Sequence, residues 1–215
     1  MIEDGMVIGL GGGATVALLI NELGKHPKKI QAVTPSQDTL ECCIRHGIPV
    51  LPLELTDAID LAFDGCDELD AELNALKSCG GIHVREKIVA SMAEEYILLA
   101  NEGKWHEQLI FSHPITLEVI PSAAAYVKRQ LNAMGAEVAE RRGCGKAGLL
   151  ISDDGNYLLE AKFGPEKTGD NIGRLAQVLD QIPGVVGHSL FYQIAAKAII
   201  AKNDGIEIVE RQKRH

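Results

Sequence analysis

Residues 6–24, Met6-Val7-Ile8-Gly9-Leu10-Gly11-Gly12-Gly13-Ala14-Thr15-Val16-Ala17-Leu18-Leu19-Ile20-Asn21-Glu22-Leu23-Gly24, read as strand, glycine-rich turn and helix. Residues 6–10 are a short apolar run. Val16, Leu18, Leu19, Ile20 and Leu23 then form an apolar helical stripe that ends near Gly24. The same alternation continues downstream. Residues 30–33 read as a strand and 38–46 as a helix stopped by Gly47. Residues 48–51 and 58–63 supply strands, 82–93 a helix and 96–100 a buried strand. Strands alternating with helices predict an α/β fold, a Rossmann-like and mostly parallel sheet with helices on both faces. Sites in such folds lie outside the carboxyl ends of the strands.

The second half changes character. Residues 116–120 read as a strand, Pro121 opens a helix to about Met134, and 137–141 is a strand. Residues 149–152 and 157–160 flank Asp153-Asp154-Gly155-Asn156 as a hairpin, and 171–181 is a helix closed by Pro183-Gly184. This order predicts a small α+β, ferredoxin-like insert over 110–187, a lid or oligomerisation domain. A catalytic α/β domain then spans 1–109 and 188–215. The tail returns to strands at 194–200 and 205–209, with Asn203-Asp204-Gly205 turning between them.

Composition excludes several classes. Thirty acidic residues against 21 basic give a net charge of −9, and no basic face points to nucleic acid. The basic tail, Arg211-Gln212-Lys213-Arg214-His215, is short and reads as solvated. No apolar run approaches the ~20 residues of a membrane span. The N-terminus lacks a signal-peptide layout, which predicts a cytoplasmic protein. Five cysteines without a C-x-x-C pair read as free thiols, and seven scattered histidines predict no metal site.

Four segments carry candidate chemistry. Gly11 to Thr15 lets backbone N–H groups approach an anion at a helix N-terminus, though alone it reads equally as a tight turn. It matches neither a dinucleotide fingerprint nor a Walker A loop. Phe63-Asp64-Gly65-Cys66-Asp67-Glu68-Leu69-Asp70 sets carboxylates where a strand ends; in isolation it reads better as a solvated acidic loop. Lys77-Ser78-Cys79-Gly80-Gly81 leads to Arg85-Glu86-Lys87 on a helix; in isolation that is an exposed charged helix start. Asn101-Glu102-Gly103-Lys104 follows the buried strand and delivers another lysine to the same edge.

Joint order lifts these segments above their isolated readings. Over nearly the whole chain the sequence resembles the type A ribose-5-phosphate isomerases. That family runs through a G-T-G-S-T loop, D-G-A-D-E, K-G-G-G before R-E-K, a short loop ending in lysine, and V-E-V-I-P. The counterparts here are 11–15, 64–70, 77–81 with 85–87, 101–104 and 117–121. Residues 127–131, 152–156 and 182–187 also resemble family segments. The resemblance implies interconversion of D-ribose 5-phosphate and D-ribulose 5-phosphate through a cis-enediolate, a step of the non-oxidative pentose phosphate pathway, with no cofactor and no metal. It implies Glu86 as the base between C2 and C1, and Lys77 as the cation stabilising the enediolate oxygen. Asp64 and Asp67 would hold hydroxyls and assist ring opening or proton shuttling between O1 and O2. Gly12, Gly13, Ala14 and Thr15, with Lys104, would fix the phosphate. Gly65, Cys66, Ser78, Cys79 and Gly80 complete the implied substrate contacts. The implied partner is a small-molecule sugar phosphate, with no nucleic acid and no membrane, and the implied assembly a homodimer or homotetramer.

The sequence departs from the family pattern in three places. Two loop hydroxyls are replaced, by Gly12 and Ala14, leaving Thr15. Ser78 and Cys79 stand where the family keeps glycine. The chain begins at its first strand, without the helix that family members usually carry before it. An isomerase of another aldose phosphate and an inactive sugar-phosphate-binding paralogue are the competing readings. Cys66 and Cys79 fall in site segments, as small fillers or as thiols whose oxidation would block the pocket.

Overall fold

The opening stretch folds by its own alternation. The structure, a computed structural model, describes residues 1–143, 145, 147–164 and 171–211. Cys144 and residues 212–215 of the basic tail lie outside the described residues. β1 (Val7–Leu10) leads into α1 (Ala14–Lys25), β2 (Gln31–Val33) and α2 (Gln37–Arg45). Ile8 and Leu10 point to one face, where they pack with Val16 and Ile20 of α1 and with Cys42 and Cys43 of α2. Gly9 points to the other face. A Cβ there would sit 2.7 Å from Ala62 and from Val89, so glycine is what lets the helix bearing Val89 close on the sheet.

The chain continues through β3 (Ile59–Gly65), β4 (Glu68–Asp70), β5 (Ala75–Leu76), α3 (His83–Met92), β6 (Ala93–Asn101) and β7 (Trp105–His106). Then come β8 (Ile115–Val119), α4 (Ala124–Ala133), β9 (Glu137–Glu140), β10 (Tyr157–Lys162), α5 (Ile172–Asp180), β11 (Val185–His188), β12 (Leu190–Phe191), β13 (Lys197–Lys202) and β14 (Gly205–Glu210). Among the described residues these strands form three sheets. The largest has order β14-β13-β6-β3-β1-β2, parallel except for the β13–β14 hairpin. Chain order reverses beside β1, because β2 lies on one side and β3 on the other. This is the switch point where such sheets leave a crevice.

The second sheet, β11-β8-β10-β9, is antiparallel and carries α4 and α5 in the β-α-β-β-α-β order of a ferredoxin-like unit. Its core joins Leu117, Val119, Val127, Leu131, Leu159, Leu175 and Leu179. The α/β class expected from the pattern, with its ferredoxin-like addition, is what the chain adopts.

The third sheet, β12-β5-β4-β7, has no counterpart in the sequence reading. Its strands are two or three residues long, too short to show a period of two. Glu68 and Asp70 also disguise it as a solvated acidic loop, and both are buried. Glu68 accepts from the backbone N–H groups of Ile110 and Phe111 and from the Ser112 hydroxyl; Asp70 accepts from Glu72, Asn74 and the Asn74 amide. Two expected strands are absent from the ladders. Residues 48–51 make only a bridge from Val50 to Ala32, since Pro49 and Pro52 remove donors. Residues 149–152 make only the bridges Arg142–Leu149 and Ile151–Tyr157, although Ser152 and Asn156 do close the expected turn.

Leu117 is fully buried at the centre of the antiparallel sheet. Truncating it (Leu117→Ala) is expected to cost ~2–5 kcal/mol of unfolding free energy, read from the shift of a urea unfolding midpoint.

Candidate active site

The site forms where the two smaller sheets meet the carboxyl edge of the large one. Asp64 lies one residue from the end of β3, and Gly11 to Gly13 turn from β1 into the first residues of α1, Ala14 and Thr15. Gly13 takes φ +90°, a left-handed conformation that glycine adopts without strain, and α1 starts with no side chain capping its N–H groups. The small third sheet supplies the rest from its strand ends. Asp67 precedes β4, Lys77 follows β5 and Lys104 precedes β7. Glu86 comes from the first turn of α3, the helix that Gly9 admits.

Lys77 Nζ lies 3.0 Å from Asp64 Oδ1 and 3.2 Å from Glu86 Oε1, and donates to the Gly65 carbonyl at 2.6 Å. All three side chains are nearly inaccessible to solvent. One ammonium therefore serves two buried carboxylates, an arrangement one negative charge in excess when all three are ionised. The two carboxylates are not equivalent. Asp64 also accepts from the backbone N–H of Gly65 at 2.8 Å, from that of Gly12, and from the Tyr96 hydroxyl at 3.4 Å. Burial pushes the Asp64 carboxyl up, but Lys77 and these donors oppose the shift. Glu86 has the shared ammonium and no such set of donors. Burial pushes its carboxyl up to about 7, against the pull of Lys77 and with the push of Asp64. The excess charge is thus relieved by a proton on Glu86. Burial works against the charge on Lys77, yet Asp64 and Glu86 outweigh it and hold the ammonium above the ordinary lysine range.

Gly11 has no room for a side chain, because a Cβ there would run into the Asp64 carboxylate. On the far side, Phe191 places its ring 5.8 Å from Lys77 Nζ. A cavity of about 630 Å³ opens above the three charges. Gly12, Gly13, Ala14, Thr15, Gly65, Cys66, Asp67, Lys77, Cys79, Gly80, Glu86 and Lys104 all line it. Asp64 lies beneath it as a support for Lys77. Ser78 faces away, buried against Ser189 with their hydroxyl oxygens 2.8 Å apart. Asp67 Oδ2 accepts from the Cys79 N–H at 2.9 Å, and Lys104 donates to the Cys66 carbonyl. Burial pushes the Cys66 thiol up to about 12 and the Cys79 thiol up to about 11, so neither is a thiolate near neutral pH.

Sequence reading missed Ser36, Gln37, Asp38, Ile82 and Asp153, which complete the lining, and Tyr96 beneath. Ser36 caps α2 by accepting from Thr39 N. A serine between a strand and a helix is a readable N-cap signal. Asp153 was legible only as part of a hairpin turn, with no signal of its place at the site. It reaches the cavity because Arg85 grips the 153–156 turn, with 2.6 Å to Asp154 and 3.6 Å to Asp153. A larger depression of about 890 Å³ lies alongside, walled by Leu40, Val50, Leu51, Val84 and Ile88. Arg85, Asp153 and Asp154 there form a partly exposed ion pair, so the smaller cavity is the one with buried acid–base groups. Among the described residues, no three His, Cys, Asp or Glu side chains gather as a metal site, and no helix is long and apolar enough to cross a membrane.

A switch-point crevice holding a carboxyl poised near neutrality, a fixed ammonium and a glycine-lined helix N-terminus defines an α/β enzyme fold built for proton transfer on a small anionic substrate. Comparison with known proteins specifies which. Residues 31–205 match the family model of ribose 5-phosphate isomerase A (phosphoriboisomerase A). Ribose-5-phosphate isomerase A of Pyrococcus abyssi is 39% identical over 215 residues, covering 98% of this chain and 93% of the relative. That of Methanothermobacter thermautotrophicus is 38% identical, covering 97% and 92%. The solved structure of ribose 5-phosphate isomerase A from Methanocaldococcus jannaschii superposes with a TM-score of 0.90 at 34% identity, covering 98% of this chain and 93% of that one. A D-ribose-5-phosphate isomerase in complex with phospho-erythronic acid gives 0.91 at 36% identity over 98% and 93%. The chain belongs to the ribose 5-phosphate isomerase A family.

The raised Glu86 carboxyl has a consequence for stability. In the unfolded chain a glutamate titrates near 4.5, and in the folded protein Glu86 titrates at about 7. Folding therefore takes up a proton between these values, and stability falls as pH rises from 4.5 to 7. Replacing Glu86 with glutamine is expected to stabilise the protein by ~1–3 kcal/mol at pH 8, with no gain below pH 4. Melting curves of parent and Glu86→Gln across pH 4–8 check this.

Proposed function

We propose that this chain interconverts D-ribose 5-phosphate and D-ribulose 5-phosphate, with Glu86 as the proton-transferring base and Lys77 as the electrostatic partner. The observation that carries the proposal is the contact of Lys77 Nζ with both Asp64 and Glu86 under a cavity of sugar-phosphate size. Glu86 takes the C2 proton of the open-chain aldose and returns it to C1 while the O2 hydroxyl proton passes to O1, leaving a ketose. A carboxyl titrating at about 7 suits both halves, since it is ionised often enough to accept and acidic enough to give back. Charge builds on the C1 and C2 oxygens at the enediolate stage. Lys77, already protonated and held by Asp64 and the Gly65 carbonyl, meets that charge without reorganising.

The phosphate end is assigned to the uncapped N-terminus of α1 at Gly12 to Thr15, with Lys104 across the cavity. Asp67, held by the Cys79 N–H, is assigned to the sugar hydroxyls and to proton relay in ring opening. Residues 110–187 are assigned as a lid, supported by Asp153 reaching the cavity from its hairpin turn. The buried charge pair tells against an inactive paralogue, since burying two carboxylates around one lysine is costly where no proton is to be moved. The same reading expects a cytoplasmic homodimer or homotetramer, which sedimentation velocity distinguishes.

The test is ketose formation from ribose 5-phosphate, with other aldose phosphates run in parallel. Glu86→Gln should lower kcat ~10²–10⁴-fold. In the parent, kcat/KM should fall tenfold per pH unit below about pH 7, where Glu86 becomes protonated, and level off above it. A parent that binds ribose 5-phosphate without turning it over defeats the assignment.

Lys104→Ala should act differently, raising KM ~10-fold or more through loss of a charge-assisted phosphate contact while kcat changes less. Initial rates over a range of substrate concentrations separate the two effects.

A further inference from the structure

Lys77 and Gly80 belong to a loop whose conformation is set from outside the large sheet. Arg141, next after β9, reaches into it with a side chain only 13% exposed. Its Nε donates to Glu160 at 2.7 Å, which fixes the plane of the guanidinium. Nη2 donates to the Ser78 carbonyl at 2.8 Å and to the Thr116 hydroxyl at 2.9 Å, and Nη1 to the Cys79 carbonyl at 3.3 Å. The Thr116 hydroxyl in turn donates to the same Ser78 carbonyl. The Arg141 backbone is pinned as well, pairing with Leu158 and Leu150. Gly81, at φ +71°, passes so close that a Cβ would lie 3.1 Å from Arg141 Nη1.

Capturing two successive carbonyls has a geometric consequence. In a trans peptide the C=O and the following N–H point in opposite directions. With the carbonyls of Ser78 and Cys79 turned to Arg141, the N–H groups of Cys79 and Gly80 are turned away from it. The Cys79 N–H indeed meets Asp67 Oδ2, and Gly80 lines the cavity. Arg141 itself does not line the cavity.

We propose that Arg141 is a positioning residue for the isomerisation. By holding the Ser78 and Cys79 carbonyls it aims two backbone N–H groups at the Asp67 side of the site and fixes where Lys77 stands between Asp64 and Glu86. Lysine cannot replace it, because one ammonium cannot hold Glu160 and two carbonyls in one plane. The inference rests on the isomerase reading for its kinetic consequence and is independent of it for its structural one.

Arg141→Ala and Arg141→Lys, made in the full chain, test it. For Arg141→Ala, kcat should fall roughly 100-fold with KM within about threefold of the parent, because reacting groups shift while the phosphate contacts stay. The acid limb of kcat/KM should move to higher pH, as Glu86 loses part of its contact with the Lys77 ammonium. Added guanidinium should restore kcat in Arg141→Ala, and Arg141→Lys should not recover the parent rate. Hydrogen exchange supplies a readout that needs no turnover: amides of residues 77–81 should exchange faster in Arg141→Ala, with those of 115–119 unchanged. Unchanged exchange across 77–81, or kcat and acid limb equal to the parent's, overturns the proposal. So does loss of activity that tracks unfolding and resists guanidinium. A parent without isomerase activity would defeat the functional reading alone, and the exchange result would still decide the role of Arg141.

Discussion

One ammonium between two buried carboxylates is the constraint around which this molecule is arranged. Removing three charged groups from water is unfavourable, and the Asp64–Lys77–Glu86 contact offsets that only if its distances are held. The surroundings supply the restraint. Gly11 leaves space for the Asp64 carboxylate, Tyr96 and two backbone N–H groups hold it, and the Gly65 carbonyl fixes the ammonium. Asymmetry follows from the same contacts. The better-satisfied Asp64 keeps Lys77 charged, and the less-satisfied Glu86 is left with a proton it can exchange near neutrality.

Each part of the fold contributes to that contact in a different way. The parallel sheet gives a switch-point crevice and the end of β3. Gly9 gives the close approach of α3 that carries Glu86 inward. The small third sheet acts as a bracket, since Asp67, Lys77 and Lys104 each sit at an end of one of its strands. The antiparallel sheet adds the clamp on residues 78–79 and the turn bearing Asp153. Its buried acid Glu118 holds that turn by accepting from Ser152 and Asn156.

Much of this was legible in the sequence because the signals are local. A strand, a glycine run and a helical stripe occupy adjacent residues, so 6–24 announces its own structure. The strand–helix–strand order and the following hairpin and helix over 116–181 likewise follow from periodicity and turn residues, whereas the closing strand β11 after Pro183-Gly184 was not read. Membership of the family rested on the order of short motifs along the chain, and the comparisons agree. Where local signals misled, the reason is physical. Prolines at 49 and 52 spoil a strand that hydrophobicity alone predicts, and buried acids at 68 and 70 pass for a solvated loop.

The sequence by itself determined the alternation of strands and helices, the family and the residue types available for chemistry, since these rest on local patterns and on the order of short motifs along the chain. Tertiary structure alone decided which groups meet. Lys77 and Glu86 lie nine residues apart, yet only the packing of α3 on the sheet brings them to 3.2 Å. Ser78, read as a substrate contact, turns instead into the seam against Ser189. Arg141 and Asp153 reach the site from across the fold, and nothing in the sequence reading assigned either of them to it. Burial is a property of the assembled molecule, and burial is what moves the Glu86 carboxyl into the range where it can work as a base.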